Sequence, residues 1–246
     1  MTTLFISDLH LCPERPEKLA LFSKLMRGPA RNAEALYILG DLVERFWVGV
    51  DDAPLNTEII STLADYTQQG NRNLFVMCGN RDFYLDRHFE SMTGCCLIPD
   101  PTVIHLNGRK TMLMHGDTLC TKDVHYQQWR RFITHPAIRK TFFALPLTLR
   151  RMIAHGVRGV TRHAASMKPP GIIDVSQGSV VQVMQEYGVQ ELIHGHTHRQ
   201  AIHEFMINAT PARRIVLGDW YIDDCVLVCD ESGLHMMGVK QFVDLH

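Results

Sequence analysis

Asp8-Leu9-His10 sets a carboxylate and an imidazole two residues apart, directly after the apolar run Leu4-Phe5-Ile6. Such a run reads as a short buried strand, and in α/β folds ligands gather beyond the carboxyl ends of strands. The D-x-H spacing lets an oxygen and a nitrogen reach one metal ion from a single tight loop. Later apolar runs stop in the same manner. The runs 35–39, 73–78, 110–114 and 191–193 end in Gly40-Asp41, Gly79-Asn80-Arg81-Asp82, His115-Gly116-Asp117 and His194-Gly195-His196-Thr197-His198. Taken singly, each polar residue has an ordinary structural explanation. Asp41 could cap a helix, Asn80 could form a turn, and His115 or His196 could be a satisfied buried histidine. Taken together, Asp8, His10, Asp41, Asn80, His115, His196 and His198 are expected to converge at one edge of one sheet. Two carboxylates, one amide oxygen and four imidazoles are too many for one divalent ion and suit two, with a carboxylate bridging. Oxygen and nitrogen donors without thiolate point to Mn, Fe or Zn rather than to Ca or a structural zinc.

The elements that must position these groups follow from periodicity. A helix over 16–27 opens on Pro16 and stops at Gly28-Pro29, with Leu19, Phe22, Leu25 and Met26 inward. Strand, helix, strand in this order implies a parallel pair. A second helix, 57–69, turns Ile59, Ile60, Leu63 and Ala64 inward and stops at Gly70. Residues 102–106 and 110–114 form a hairpin about Asn107-Gly108, and a further helix runs from about 175 to 187. The last four strands, 201–207, 213–217, 225–229 and 234–240, are expected to pair antiparallel and build a second sheet.

Composition bounds the rest. The chain has 246 residues, 46% hydrophobic and 21% charged, which suits one soluble domain over 1–246 and excludes disorder. Seven cysteines with no C-x-x-C pair give no disulfide framework or zinc knuckle and fit a reducing compartment. No secretion signal is visible, and no charge-free apolar run approaches the roughly 20 residues of a membrane span. The formal net charge of −1 conceals one asymmetry. Residues 124–173 hold nine Lys/Arg and no Asp or Glu, with Trp129, Phe132, Phe142, Phe143 and Met152 threaded among them. Pro136, Pro146 and Pro169-Pro170 break this stretch into short helices. It reads as a helical insertion capping the site, suited to an anionic head group with acyl chains and to an anionic membrane surface. Nucleic acid is the competing polyanion and ranks lower, because the aromatics are mainly Phe at core-like spacing and no stacking platform is evident.

The motifs D-L-H, G-D-L, G-N-R-D, H-G-D and H-G-H-T-H, in this order, resemble the signature of the calcineurin-like metallophosphoesterases. Within that superfamily, residues 115–123 (H-G-D-T-L-C-T-K-D), 35–42 (A-L-Y-I-L-G-D-L) and 215–220 (I-V-L-G-D-W) are similar to one bacterial branch. Its members hydrolyse the pyrophosphate of UDP-2,3-diacylglucosamine in lipid A synthesis. The resemblance covers the whole chain. It implies a four-layer αββα sandwich and two Mn²⁺ ions. One would be held by Asp8, His10, Asp41 and His198, the other by Asp41, Asn80, His115 and His196. It further implies that Asn80, Arg81, Asp123, Tyr126, Arg158, Thr161, Lys168 and His196 contact substrate. Thr161 stands where Ser is common in the family. Ala165 stands where a polar side chain is common, which removes one hydrogen bond to substrate.

Two cations about 4 Å apart can activate a bridging water and hold attacking and leaving oxygens in line. The expected nucleophile is therefore a metal-bound hydroxide, with no phospho-enzyme. Many members of the family carry His where this chain has Arg81, and Arg cannot act as a general acid. It can clamp phosphate oxygens with two donors. That choice suits a pyrophosphate, whose phosphate leaving group needs no proton. The expected products are UMP and 2,3-diacylglucosamine 1-phosphate, formed by a monomer on the cytoplasmic face of the bacterial inner membrane. The alternatives are a cyclic-nucleotide or nucleic-acid phosphodiesterase of the same superfamily, and a non-catalytic lipid-binding protein on this fold.

Overall fold

Strands β1 (Thr3–Ile6), β2 (Ala35–Leu39) and β3 (Asn73–Met77) are short runs of largely apolar residues. Runs of that kind are buried on both faces of a parallel sheet. In the computed structural model, which describes residues 2–50, 53–69, 72–166, 174–222 and 224–245, they pair in parallel in the order β1-β2-β3. Helices α1 (Pro16–Arg27) and α2 (Pro54–Gln68) connect them, each with proline in its first turn. A proline there loses no helical hydrogen bond, which is why α2 begins at Pro54 rather than at Thr57. A short helix α3 (Arg87–Thr93) and strand β4 (Cys96–Ile98) complete this side of the sheet. Neither has a long enough apolar period to announce itself in the sequence.

The second sheet runs β5 (Thr102–Leu106), β6 (Arg109–Met114), β7 (Glu191–His194), β9 (Thr210–Val216) and β8 (Ala201–Ile207) in spatial order. Here the structure corrects the expectation for the last four strands. Only β8 and β9 belong to this sheet. β10 (Cys225–Asp230) pairs antiparallel with β1 in the first sheet, and β11 (Gly233–Gly238) pairs with β10 as the edge strand of that sheet. The unbroken run Cys225-Val226-Leu227-Val228-Cys229, buried throughout, is the mark of a strand covered on both faces. The segment after Gly238 is also corrected: residues 239–240 open a closing helix, Val239–Leu245, not the end of a strand. Val239 and Phe242 of that helix are buried against the first sheet's outer core.

Three apolar clusters define four layers. Leu4, Ile6, Leu36, Ile38 and Val76 of the first sheet meet Phe22, Leu25, Ile59 and Leu63 of its helices. Phe5, Leu39, Met77, Leu113, Ile193, Ile215 and Leu227 fill the space between the sheets. Met112, Met114 and Leu192 of the second sheet meet Val180 and Met184 of a helix over Gln177–Tyr187. The alternation along each strand therefore sorts side chains into two different interiors, and the chain is a four-layer αββα sandwich.

Residues 124–166 form helices α4 (Val124–Ile133), α5 (Pro136–Ala144) and α6 (Leu147–Ser166). The prolines start α5 and α6, but α6 is 20 residues long and not a short fragment. Ile133, Phe142 and Ala154 are buried in the outer core of the first sheet. The Tyr84 hydroxyl donates to Ile133 O at 2.8 Å, and its ring lies 4.9 Å from that of Phe142. Three of the insertion's cations turn inward. Arg139 donates to Leu85 O at 2.5 Å, Arg150 donates to Val48 O, and Arg130 Nε donates to Asp117 Oδ2 at 2.6 Å. Phe132 and Met152 stay outside, 63% and 65% exposed. Among the described residues no helix is long and apolar enough to cross a membrane.

All seven cysteines are free thiols, and Cys96 alone is fully exposed. Burial raises the thiols of Cys95 to about 11 and of Cys120 to about 12. Thiolate, not thiol, reacts with disulfide reagents. Native protein is therefore expected to release one fast equivalent of thionitrobenzoate, and Cys96→Ser to release none. Any fast equivalent from that variant would contradict the burial pattern.

Candidate metal centre

The loops after β1 and β2 are zipped together before any side chain is considered. Asp8 N donates to Gly40 O at 3.1 Å, His10 N to Asp41 O at 2.9 Å and Leu11 N to Leu42 O at 3.0 Å. The loops after β6 and β7 are joined the same way, Gly195 N donating to His115 O at 2.9 Å. Two contacts then tie the sheets to each other: His196 N donates to Asp8 Oδ2 at 2.9 Å, and Trp220 N donates to Asp8 O at 3.0 Å. The seven side chains thus meet where the carboxyl ends of two sheets face one another, not along one edge of one sheet. Five of them, Asp8, His10, Asp41, His196 and His198, have positive φ, between 47° and 67°. Left-handed backbone at non-glycine residues costs about 1–3 kcal/mol each and survives only where the surroundings impose it.

Approach this close requires missing side chains. A Cβ on Gly79 would lie 2.3 Å from Asp41 Oδ1, and one on Gly40, whose φ is +89°, 2.6 Å from His115 Nδ1. Asp82, wholly buried, receives Gly79 N at 2.5 Å and Leu42 N at 2.8 Å, so its carboxylate clamps the two loops that carry Asn80 and Asp41. Burial and the neighbouring charge of Asp41 raise the Asp82 carboxyl to about 6.

In one half of the centre, His10 Nδ1 lies 2.8 Å from Glu44 Oε2 and His198 Nδ1 lies 2.9 Å from Asp219 Oδ2. Those carboxylates face Nδ1 of each ring, which turns both Nε2 atoms toward the centre. The two Nε2 atoms face each other at 3.2 Å, and His198 Nε2 is also 3.2 Å from Asp8 Oδ1. Asp8 Oδ1 is buried and accepts no hydrogen bond. In the other half, His115 Nδ1 lies 2.9 Å from Leu39 O, which turns its Nε2 inward, 3.1 Å from Asn80 Oδ1. His196 Nδ1 reaches the same amide oxygen at 2.9 Å. Asp41 lies between the halves, Oδ2 3.7 Å from His10 Nε2 and Oδ1 3.8 Å from His115 Nε2.

Lone pairs aimed at one another are repulsive unless something positive lies among them. The protons show the same demand. Burial opposes charge on His198 and His115, yet Asp219 with Asp8, and Asp41 with Asp8, raise them to about 10 and about 9. His196, more shielded, is lowered to about 4 by burial and by the charge of His115. Two sets of donor atoms, Asp8 with His10 and His198, and Asp8 with Asp41 and His115, each lie within 4.8 Å of one another. The donors are oxygen and imidazole nitrogen without thiolate, so the residues fit divalent cations of the Mn and Zn group.

The other residues singled out from the sequence fall into three groups. Arg81 sits at the rim, its backbone N donating to Asp41 Oδ1 at 2.7 Å, and its side-chain Nε is buried without a partner. Asp123 caps α4, accepting Tyr126 N at 3.1 Å. Tyr126 gives its hydroxyl to Asp117 Oδ2 and stacks on His196, with ring centroids 6.4 Å apart. Arg158 and Thr161 lie on α6 with side chains outside the described residues, and Lys168 lies wholly outside them, as does Gly70. The sequence reading missed Glu44, Asp219, Asp82 and Asp117. Asp219 stands within the quoted run I-V-L-G-D-W, the one signal that could have found it.

Comparison with known proteins agrees with this geometry. A family model described as Calcineurin-like phosphoesterase matches residues 1–200. The UDP-2,3-diacylglucosamine hydrolase of Pseudomonas syringae pv. tomato is 46% identical over 235 residues, covering 95% of this chain and 94% of that protein. The protein of the same name from Aeromonas hydrophila is 45% identical over 230 residues, covering 93% and 95%. That from Escherichia fergusonii is 46% identical over 224 residues, covering 91% and 92%.

Proposed function

The chain belongs to the calcineurin-like phosphoesterase family, and from that premise we propose that it hydrolyses the pyrophosphate of UDP-2,3-diacylglucosamine. Water adds to the nucleotide-side phosphorus, and the products are UMP and 2,3-diacylglucosamine 1-phosphate. The observation that carries this reading is the pair of facing sets of metal-ligating atoms, His10 with His198 at 3.2 Å and His115 with Asn80 at 3.1 Å, in a chain this similar to hydrolases of that name.

Asp8, His10, Asp41 and His198 would hold one Mn²⁺ and Asp41, Asn80, His115 and His196 the other, with Asp41 shared. Such a pair supplies an activated water and neutralises charge on the phosphoryl group. The chain's own part is positioning. Arg81, with an unpartnered buried nitrogen at the rim, offers its guanidinium to the phosphate oxygens and has no proton to give. Asp123, Tyr126, Arg158, Thr161 and Lys168 complete the substrate contacts. Helices α4–α6 form a cap that shelters the acyl chains. Exposed Phe132 and Met152, beside Arg131 and Arg151, support shallow insertion into an anionic bilayer, and the protein acts as a monomer at the cytoplasmic face of the inner membrane.

Phosphorus NMR of the reaction with Mn²⁺ in ¹⁸O-water tests the reading. One UMP and one glycolipid 1-phosphate signal are expected, with the isotope-shifted line on UMP. Equal turnover of bis(p-nitrophenyl) phosphate and the UDP-lipid would favour a general phosphodiesterase instead.

A further inference from the structure

Three consecutive residues beyond β9 serve different ligands of the same half of the centre, two directly and the third through Glu44. Asp219 Oδ2 lies 2.9 Å from His198 Nδ1. Trp220 N donates to Asp8 O at 3.0 Å. The Tyr221 hydroxyl donates at 2.8 Å to Glu44 Oε2, and that same oxygen lies 2.8 Å from His10 Nδ1. No residue of this stretch contacts Asn80, His115 or His196 in the same way. On that side the backbone oxygen of Leu39 and the Asn80 amide hold the rings.

The stretch is itself rigidly held. Trp220 is wholly buried and packs against Phe22 at 6.4 Å between ring centroids. Asp219 Oδ1 accepts both Tyr221 N and Ile222 N at 3.0 Å, which closes a tight turn and leaves Oδ2 for the imidazole. The Arg15 guanidinium covers the Tyr221 ring at 3.4 Å and donates to His10 O at 3.2 Å, closing the circuit on the far side.

We propose that Asp219 and Tyr221, the latter acting through Glu44, are positioning residues for one ion only, so that the two metal sites have separately set affinities. The ion at Asp8, His10 and His198 depends on side-chain carboxylates, Asp219 on this turn and Glu44 in the loop after β2. The ion at Asn80, His115 and His196 depends on the sheet itself. Carboxylates that orient a ligand imidazole raise its basicity, and losing them costs about 10–100-fold in metal affinity. The inference rests on the two-metal reading above.

The experiment is Mn²⁺ titration of the metal-free chain, with free Mn²⁺ read by electron paramagnetic resonance, beside Mn²⁺-dependent kinetics. The unsubstituted chain is expected to bind two ions. Asp219→Asn and Glu44→Gln are expected to weaken one ion by about 10–100-fold and leave the other unchanged. Tyr221→Phe, which removes a hydroxyl from a side chain 43% exposed and leaves the fold undisturbed, is expected to do the same more mildly. In each variant the Mn²⁺ concentration for half-maximal turnover rises, while kcat at saturating Mn²⁺ recovers to near the parent value. Two affinities that fall together, or neither falling in Tyr221→Phe and Glu44→Gln, overturn the proposal. Fewer than two ions on the unsubstituted chain would instead show that the two-metal reading had failed.

Discussion

Asp8→Asn is expected to lower Mn²⁺-dependent turnover by about 10³-fold or more, equivalent to about 4 kcal/mol of lost transition-state stabilisation. The change is almost isosteric, so the loss must come from chemistry. Asp8 Oδ2 accepts the Ser7 hydroxyl at 2.6 Å and His196 N at 2.9 Å. An asparagine keeps both bonds by placing its carbonyl oxygen there. Its amide nitrogen then takes the position of Oδ1, among the Nε2 atoms of His10 and His198. The anionic oxygen ligand is replaced by a neutral hydrogen-bond donor, and the attraction for a cation is lost. The measurements are turnover and the Mn²⁺-induced rise in melting temperature. For the parent chain, ion at 100 times its dissociation constant contributes about 2.7 kcal/mol of stability. Asp8→Asn is expected to melt near the parent in EDTA and to gain much less from Mn²⁺. Parent-like turnover in a variant that no longer responds to Mn²⁺ would remove Asp8 from the reaction.

How much of this centre could be read in the chain follows from where each residue stands. Asp8, Asp41, Asn80, His115 and His196 each follow an apolar run, and a strand's last residue has a direction that its sequence alone implies. Sheet membership does not share that property. Thr3 pairs with Cys229, across nearly the whole chain, and no local pattern in 225–229 says which sheet will receive it. Convergence was therefore expected at one sheet, whereas two sheets supply it, and the Asp8–His196 bond is what joins them. Glu44 was invisible for a related reason. It lies past the parallel bridge between Leu11 and Val43, and its distance to His10 is set by that zipper of loops, not by any spacing within its own segment. The cationic insertion was legible as helices. The inward turn of Arg130, Arg139 and Arg150 was not, because their acceptors, Asp117 and two backbone oxygens, belong to other elements. In general, the residues that face the ions were visible from strand ends. Those that aim them were not, since each acts across a tertiary contact.

Gly195→Ala tests the closeness of the two sheets directly, and a second large loss is expected from one methyl group. A Cβ at this position would lie 2.1 Å from Asp8 Oδ2 and 2.3 Å from Ser7 Oγ. Neither neighbour can yield cheaply. Asp8 and Ser7 are both wholly buried, and Ser7 Oγ already donates to Asp8 Oδ2. Gly195 is also fixed, since its N–H donates to His115 O at 2.9 Å and its carbonyl accepts Thr197 N at 2.8 Å. Relief of the overlap must therefore part the H-G-H-T-H loop from the strand-end loop of Asp8, moving His196 and His198 away from their partners. Overpacking of this kind costs about 1–3 kcal/mol in stability. A displacement of about 1 Å at a reacting centre costs about 100-fold in rate. The comparison that separates the two effects is Gly188→Ala, at φ +63° with nothing within 4 Å of the added methyl. That variant meets only backbone strain, at the C-terminus of a helix remote from the ligands, and is expected to lose about 1 kcal/mol while keeping parent turnover and both Mn²⁺ affinities. Measured together by thermal melts and initial rates, the two alanines should show similar losses of stability and very different losses of activity. If Gly195→Ala turned over substrate at the parent rate, the close contact between the loops of Asp8 and His196 could not be what sets the geometry of the centre.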